Sequence, residues 1–370
     1  MKTVKIAMIG VGNISGIYLR NLTGVFKGVE LIGVCDLVRE RAEKAQKEFG
    51  IRKLYETMHD AFADPEVDVV LNLTRPYEHF EVSKAALEAG KHVYSEKPLG
   101  ADLEEGKALL KLAKEKGLLL GGAPDTVLGA GIQTCRLLID DGFIGTPIGS
   151  AAFMLTSGPE PWHPDPEFFY KRGGGPMFDM GPYYLTAMIN LMGSVDRVFS
   201  ASRASFPQRI IGSQPFAGQK IDVEVNTYIA GTVQYHSGAI GTIFTTFDVK
   251  YPRDKRRFIE IYGTEGTLFV PDPNTFGGKV ELYRPEDGEV KEMPLMYGYP
   301  ENSRALGLTD LCMAVRDGRE ARCAVQQTYH VLEMIEGFET SARTGEWTKI
   351  ESEYHRPAPM VLPKLKGVLD

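Results

Sequence analysis

The sequence predicts an α/β N-terminal Rossmann domain followed by an α+β C-terminal domain built on an open, mainly antiparallel β-sheet. Three observations lead there. Strand and helix patterns alternate through the first third of the chain, as in a parallel sheet covered by helices. A glycine-rich turn, Gly10-Val11-Gly12-Asn13-Ile14-Ser15, lies between the first strand and the first helix. From Pro147 onward the pattern changes to longer runs in which β-branched and aromatic residues alternate with polar ones. With 370 residues, of which 43% are hydrophobic, the chain has length and material for two cores.

The expected first domain spans residues 1–123. Val4–Ile9 is a short run of strand formers, and a helical pattern follows the glycine turn to about Phe26. Gly10 permits the tight turn, and Gly12 lets a pyrophosphate approach the backbone. The N–H groups of the helix start would hold the anion, with Asn13 and Ile14 among the contacts. The third position of the pattern is Ser15, small enough for the helix to pack closely. A second strand, Val29–Cys35, ends in Asp36, about 20 residues past the loop, where a carboxylate can accept hydrogen bonds from both adenosine ribose hydroxyls. It would repel a 2′-phosphate, so the cofactor is read as NAD rather than NADP. Leu37 joins the cofactor-binding set, as does Arg41 on the following helix, Arg39–Phe49, which leaves room for some NADP binding.

Val67–Thr74 is a near-continuous apolar strand, with a helix from about Glu78 to Ala89. The strand His92–Ser95 stops at Glu96-Lys97-Pro98, because proline cannot continue its hydrogen bonding. That places a lysine at the mouth of the sheet. A helix over 104–116 and a strand over 118–122 complete the domain, with a boundary near Ala123-Pro124 and a bridging helix over 131–141.

The expected second domain spans 124–350. Strands are read at 148–156, 197–204, 222–235, 238–249, 257–262 and 267–270, with a hairpin turn at Ser237-Gly238. One helix-like segment, Pro176–Leu191, interrupts them, and helices near 303–316 and 326–344 close the fold. Residues 351–370 carry three prolines and read as a tail.

Composition narrows the function classes. A net charge of −7, with no basic run interleaved by aromatics, argues against nucleic acid. Cys35, Cys135, Cys312 and Cys323 form no Cys-x-x-Cys pair and no zinc spacing, so they read as reduced thiols of a cytoplasmic protein. No segment has signal-peptide or membrane-spanning character. None of the seven histidines, His163 included, forms a close metal-binding pair, and no metal is expected.

Five segments in order resemble the glucose–fructose oxidoreductase, inositol dehydrogenase and rhizopine-catabolism (Gfo/Idh/MocA) family over nearly the whole chain. They are Gly10–Ile14, Thr74-Arg75-Pro76 with His79, Ala89–Val93 running into Glu96-Lys97-Pro98-Leu99, Gly173–Gly181, and Ile261–Thr267. The resemblance implies that Lys97 sits beside the nicotinamide and the reacting carbon, where an ammonium orients the substrate oxygen and stabilises charge developing on it. It implies that Thr74, Pro76 and His79 close over the nicotinamide ribose, with Glu96 as the acid beside the lysine. Asp179 takes the place of the family's catalytic aspartate. Tyr183 stands where a histidine is usual, as in the family's glucose–fructose oxidoreductase and dimeric dihydrodiol dehydrogenases. The spacing of four would put both side chains on one helical face. Tyrosine ordinarily titrates at about 10, so accepting a proton would need help from the charge of Lys97, whereas donating one would not.

The segment 158–172 is dense in proline and aromatics and leads into Asp179. Trp162, His163, Tyr170 and Lys171 are candidate substrate contacts, together with Lys97, Asp125, Asp179 and Tyr183. The expected function is NAD-dependent hydride transfer at a secondary alcohol or ketone of a sugar, sugar derivative or cyclitol. An NAD-retaining glycosidase acting through transient oxidation and a non-catalytic NAD-binding regulator are the alternatives. A small-molecule partner is expected, with neither nucleic acid nor membrane, and a homodimer or homotetramer through the C-terminal sheet.

Overall fold

The computed structural model describes residues 3–250, 257–361, 367 and 369. The chain forms two compact units. One comprises Met1–Gln133, Met296–Tyr329 and Pro357–Asp370, and the other comprises Thr134–Leu295 and His330–Arg356.

The first unit runs β1 (Val4–Ile9), α1 (Ser15–Gly24), β2 (Val29–Cys35), α2 (Arg39–Phe49), β3 (Lys53–Leu54), α3 (Met58–Ala63), β4 (Val69–Asn72), α4 (His79–Glu88), β5 (His92–Ser95), α5 (Leu103–Lys116) and β6 (Leu120–Gly122). The six strands form one sheet in the order β3-β2-β1-β4-β5-β6, and every pairing is parallel. This is the doubly wound order, whose direction reverses between β1 and β4; ligands of such sheets bind outside the carboxyl ends of the strands there. All four residues of β4 are buried, as expected of a strand covered on both faces.

The remaining elements are α6 (Ala130–Asp140), β7 (Pro147–Leu155), α7 (Gly175–Asp179), α8 (Gly181–Met192), β8 (Val195–Arg203), β9 (Gln208–Ile210), β10 (Lys220–Asp222), β11 (Tyr228–Tyr235), β12 (Ile240–Thr246), β13 (Arg257–Gly263), β14 (Thr267–Val270), β15 (Val280–Tyr283), β16 (Val290–Met293), α9 (Leu306–Asp317), α10 (Val325–Thr344) and β17 (Thr348–Lys349). The second unit holds a nine-stranded sheet in the order β16-β15-β14-β13-β7-β12-β11-β8-β17. Among the described residues only β12 and β7 pair in parallel; the other ladders are antiparallel. Burial alternates along β11 and β12, so one face is turned to the core. Phe338 of α10 covers it so closely that a Cβ at Gly231 would lie 2.5 Å from its ring. Gly238 turns the β11–β12 hairpin at φ +87°, its N–H donating to Tyr235 O at 2.9 Å.

Three sequence expectations change. The units do not part once near Ala123-Pro124; the chain returns to the first unit twice. Gly122 N donates to Cys323 O at 3.0 Å, and Gly121 forms a bridge with Ala324, so the region after α9 extends the edge of β6. The described part of 351–370, read as a tail, is bonded to the first unit: Met360 N donates to Gln133 Oε1 at 2.8 Å and Arg322 Nε to Ala358 O at 3.2 Å. Its residues 362–366, 368 and 370 lie outside the described set. Finally, Pro176–Leu191 is two helices, broken at Met180. Local pattern did not reveal α3, β3, β9, β15, β16 or β17, most of them only two to four residues long.

Candidate active site

In the first unit, the turn after β1 is shaped by contacts only glycine tolerates. Gly10 has φ +95°, and a Cβ there would sit 2.6 Å from Leu73 O at the end of β4. Gly12 is different: a Cβ would meet nothing within 4 Å. The protein's own packing does not demand glycine at 12, and the open space in front of its backbone suits an approaching pyrophosphate. Ser15, buried at the third position, donates its hydroxyl to Gly12 O at 2.7 Å and so closes the loop from behind. Ser15 N–H donates to Gly12 O at 3.1 Å, but no side chain caps the N-terminus of α1, which leaves the following first-turn N–H groups to an anion. Asn13 and Ile14 are exposed on the same turn.

Asp36, following β2, is held by two backbone amides. Its Oδ2 accepts Val11 N–H at 2.6 Å and its Oδ1 accepts Val38 N–H at 2.8 Å. Each oxygen keeps a second lone pair for a hydroxyl. Leu37 beside it is 97% exposed, and Arg41 is exposed on α2.

At the ends of β4 and β5 the candidate residues are drawn into one network. The buried Asn72 accepts both Thr74 N–H (3.2 Å) and Thr74 Oγ1–H (2.7 Å), and donates to His79 O and Ser83 Oγ at 3.0 Å. Pro76 opens a 3₁₀ turn, Pro76–Glu78, that leads into α4. His79 is 1% exposed, with Nδ1 2.8 Å from Pro98 O and Nε2 3.1 Å from Thr74 O. Both ring nitrogens therefore face backbone carbonyls of the protein itself. Burial also holds the imidazole below its ordinary pKa. Glu96 accepts Tyr18 O–H on Oε1 at 2.9 Å and Lys97 N–H on Oε2 at 3.0 Å. Lys97 itself is half-buried.

Asp125 is 2% exposed and accepts Gly307 N–H at 3.0 Å. Burial pushes its carboxyl up to about 6, with the Glu96 charge adding and the Gly307 N–H and Arg304 opposing. This buried bond ties the segment after β6 to the backbone of α9.

In the second unit, Asp179 is the last residue of α7 and Tyr183 the third of α8. The break at Met180, whose carbonyl accepts Tyr183 N–H at 3.1 Å, removes the argument that a four-residue spacing aligns them on one helical face. Asp179 is half-buried and Tyr183 nearly fully buried. The aromatic loop before α7 is anchored by Arg209. Its guanidinium bonds Glu160, Asp248 Oδ1 (3.0 Å) and the carbonyls of Ser157 and Phe247. Tyr170 is fully buried and donates to Glu160 Oε2 at 2.5 Å, while Lys171 pairs with Glu224 at 2.6 Å. Both side chains thus bond groups of the protein itself. His163 packs edge-on to Phe168, Phe169 and Trp162, and Trp162 remains 67% exposed.

Comparison with known proteins decides the relationship. Residues 4–122 match the model of the oxidoreductase family with an NAD-binding Rossmann fold, and residues 132–269 match the Gfo/Idh/MocA C-terminal domain. The chain belongs to the Gfo/Idh/MocA oxidoreductase family. It is 30% identical over 268 residues to scyllo-inositol 2-dehydrogenase (NAD(+)) of Bacillus subtilis (strain 168), spanning 72% of this chain and 73% of that protein. It is 26% identical over 245 residues to levoglucosan dehydrogenase of Pseudarthrobacter phenanthrenivorans, covering 62% of each. The crystal structure of an NAD binding oxidoreductase from Klebsiella pneumoniae shares the fold with a TM-score of 0.82 at 21% identity, covering 95% of this chain and all of that one.

For a Gfo/Idh/MocA oxidoreductase, the first unit holds the parts of a dinucleotide site that fit NAD: an open approach at Gly12, an uncapped helix start and an acidic residue after β2. Sequence reasoning missed Tyr18, Asn72, Glu160, Arg209 and Asp248, all of which hold the candidate loops. The loop closes so tightly that a Cβ at Gly158 would collide with Glu160, Arg209 and Tyr170. Among the described residues no group of three or more His, Cys, Asp or Glu could hold a metal ion, and no helix is long and apolar enough to cross a membrane.

Proposed function

We propose that this oxidoreductase interconverts a secondary alcohol and a ketone on a polyhydroxylated ring, a cyclitol or a sugar derivative. The observation that carries the reading is Lys97, the second residue past β5, at the carboxyl edge of the sheet and next to the strand-order reversal where such folds take their ligands. The names of the relatives, an inositol and an anhydrosugar dehydrogenase, support the substrate class.

Gly10, Gly12, Asn13, Ile14, Asp36 and Leu37 would hold NAD, which when bound supplies the hydride acceptor or donor. Thr74 and Pro76 border the same edge of the sheet. Lys97 orients the substrate oxygen and stabilises negative charge there. Tyr183 exchanges the hydroxyl proton, and Asp179 orients a neighbouring substrate hydroxyl. Trp162 and His163 supply an aromatic surface for a ring face.

The test is a panel of inositols, sugars and their keto forms, followed by absorbance of reduced nicotinamide. Oxidation by the intact enzyme should improve toward alkaline pH, since a phenol ordinarily ionises near about 10. Tyr183→Phe should lose that dependence together with most turnover. Full turnover by Tyr183→Phe at every pH would remove the proton-transfer role, and full turnover by Lys97→Met would remove the site.

The protein is further read as a cytoplasmic homodimer or homotetramer. Support comes from four buried, unpaired cysteines and from exposed Ile148 and Ile240 on neighbouring strands of the open sheet. Light scattering of the purified protein checks the assembly.

A further inference from the structure

Neither His79 nor Tyr18 has a task in the reaction just described, yet His79 ends on the backbone beside Lys97 and Tyr18 reaches it through the Glu96 carboxylate. A neutral imidazole carries one N–H, and His79 faces two carbonyl oxygens with it. The shorter contact assigns the proton to Nδ1, which donates to Pro98 O at 2.8 Å. On the other side, the Tyr18 hydroxyl donates to Glu96 Oε1 at 2.9 Å, and the second oxygen of that carboxylate accepts the amide N–H of Lys97 at 3.0 Å. The N–H of Lys97 and the carbonyl of the residue after it are thus held by separate side chains. Glu96 is itself held by Tyr18 of α1, which follows the glycine turn, and His79 opens α4, which follows β4, so both supports lead back to elements that border the nucleotide site. All are buried or nearly so, where a hydrogen bond is stronger than in water and its loss is felt in full.

We propose that His79 and Tyr18 are positioning residues, which fix the lysine's backbone from both sides and tie its placement to the two loops that receive the dinucleotide. The inference rests on the proposed role of Lys97. A lysine side chain has several freely rotating bonds, so the reach of its Nζ is defined only as well as its Cα. Displacement of that Cα by a fraction of an ångström acts on the reacting geometry without touching NAD.

Asparagine at 79 can keep a donor near the Nδ1 position, whereas alanine cannot. Turnover, KM, NAD affinity and thermal midpoint are measured for His79→Asn, His79→Ala, Tyr18→Phe and Lys97→Met. The expected result is that kcat falls by about 10- to 100-fold in His79→Ala and Tyr18→Phe. KM and NAD affinity should stay within about threefold, and His79→Asn should recover most of the loss. Equal kcat in the Asn and Ala variants, wild-type kcat in Tyr18→Phe, or a loss of NAD affinity parallel to kcat would each overturn the inference. If His79→Ala does not fold, Tyr18→Phe, which removes a single oxygen, and His79→Asn decide. An inactive Lys97→Met beside fully active His79 and Tyr18 variants would refute positioning alone, whereas an active Lys97→Met would refute the catalytic reading itself.

Discussion

In the first unit the loops at the sheet edge are tied by short side-chain bonds to nearby backbone: Asp36 to Val11, Asn72 to Thr74 and His79, His79 to Pro98, Glu96 to Lys97. In the second unit the loop over 157–172 hangs instead on a guanidinium from β9, which neutralises two buried carboxylates at once. The first arrangement spreads its stabilisation over many modest bonds, each contributing about 1 kcal/mol. The second concentrates it. A buried charge left without its partner costs far more than a missing neutral bond, so the second unit's loop should fail all at once where the first unit's loops loosen by degrees.

The sharpest way to break this comparison is Arg209→Met, which strands Glu160 and Asp248. It should cost about 3–5 kcal/mol, read as a lower urea midpoint. A loss under about 1 kcal/mol would mean the ion pairs add nothing to the loop's anchoring.

The two units also bury titratable groups of opposite sense. Asp125 in the first has its carboxyl raised to about 6 against an ordinary 3.8. From about pH 4 to 6 the native state keeps a proton that the unfolded chain releases, so this group's contribution to stability declines as pH rises through that window. Above it, the buried charge costs up to about 3 kcal/mol. Asp125→Asn should therefore be more stable than wild type at pH 7 and lose that slope in denaturant titrations at stepped pH.

His330 in the second unit is lowered to about 4 from 6.5, chiefly by burial. Its Nε2 accepts Val195 N–H at 3.2 Å, which leaves Nδ1–H to donate to Ser352 Oγ at 2.7 Å. Its stabilisation is complete above about pH 6.5 and is lost as pH falls toward 4, roughly 3 kcal/mol in all. His330→Gln should flatten the acid limb, even though it lowers stability at neutral pH. In the wild-type chain the two slopes oppose each other between about pH 4 and 6, and each single variant should unmask the other.

The smallest effect on stability is expected at Gly12→Ala. A Cβ there meets no protein atom within 4 Å, so the unfolding midpoint should stay within about 0.5 kcal/mol of wild type, while NAD affinity measured by nicotinamide fluorescence drops at least tenfold. An unchanged affinity would show that the open space is not where the pyrophosphate lies.

These contrasts track what could be read in advance. The strands β1, β2, β4 and β5, the glycine turn, Asp36 and the strand-ending lysine were legible because each depends on neighbours within a few residues: apolar runs, turn chemistry, a proline that ends a ladder. Arg209 and Glu160 lie 49 residues apart, and neither has a local signature. His79, Tyr170 and Asp125 are buried and bonded to the protein itself, and no local pattern records that.

The sequence by itself determined the parallel sheet, its dinucleotide turn and the family to which the chain belongs, because periodicity and short motifs act over a turn or a strand. Only the tertiary structure decided which polar side chains are spent on the protein's own backbone. That choice is made by desolvation and by partners brought from distant parts of the chain, and both exist only once the chain has folded.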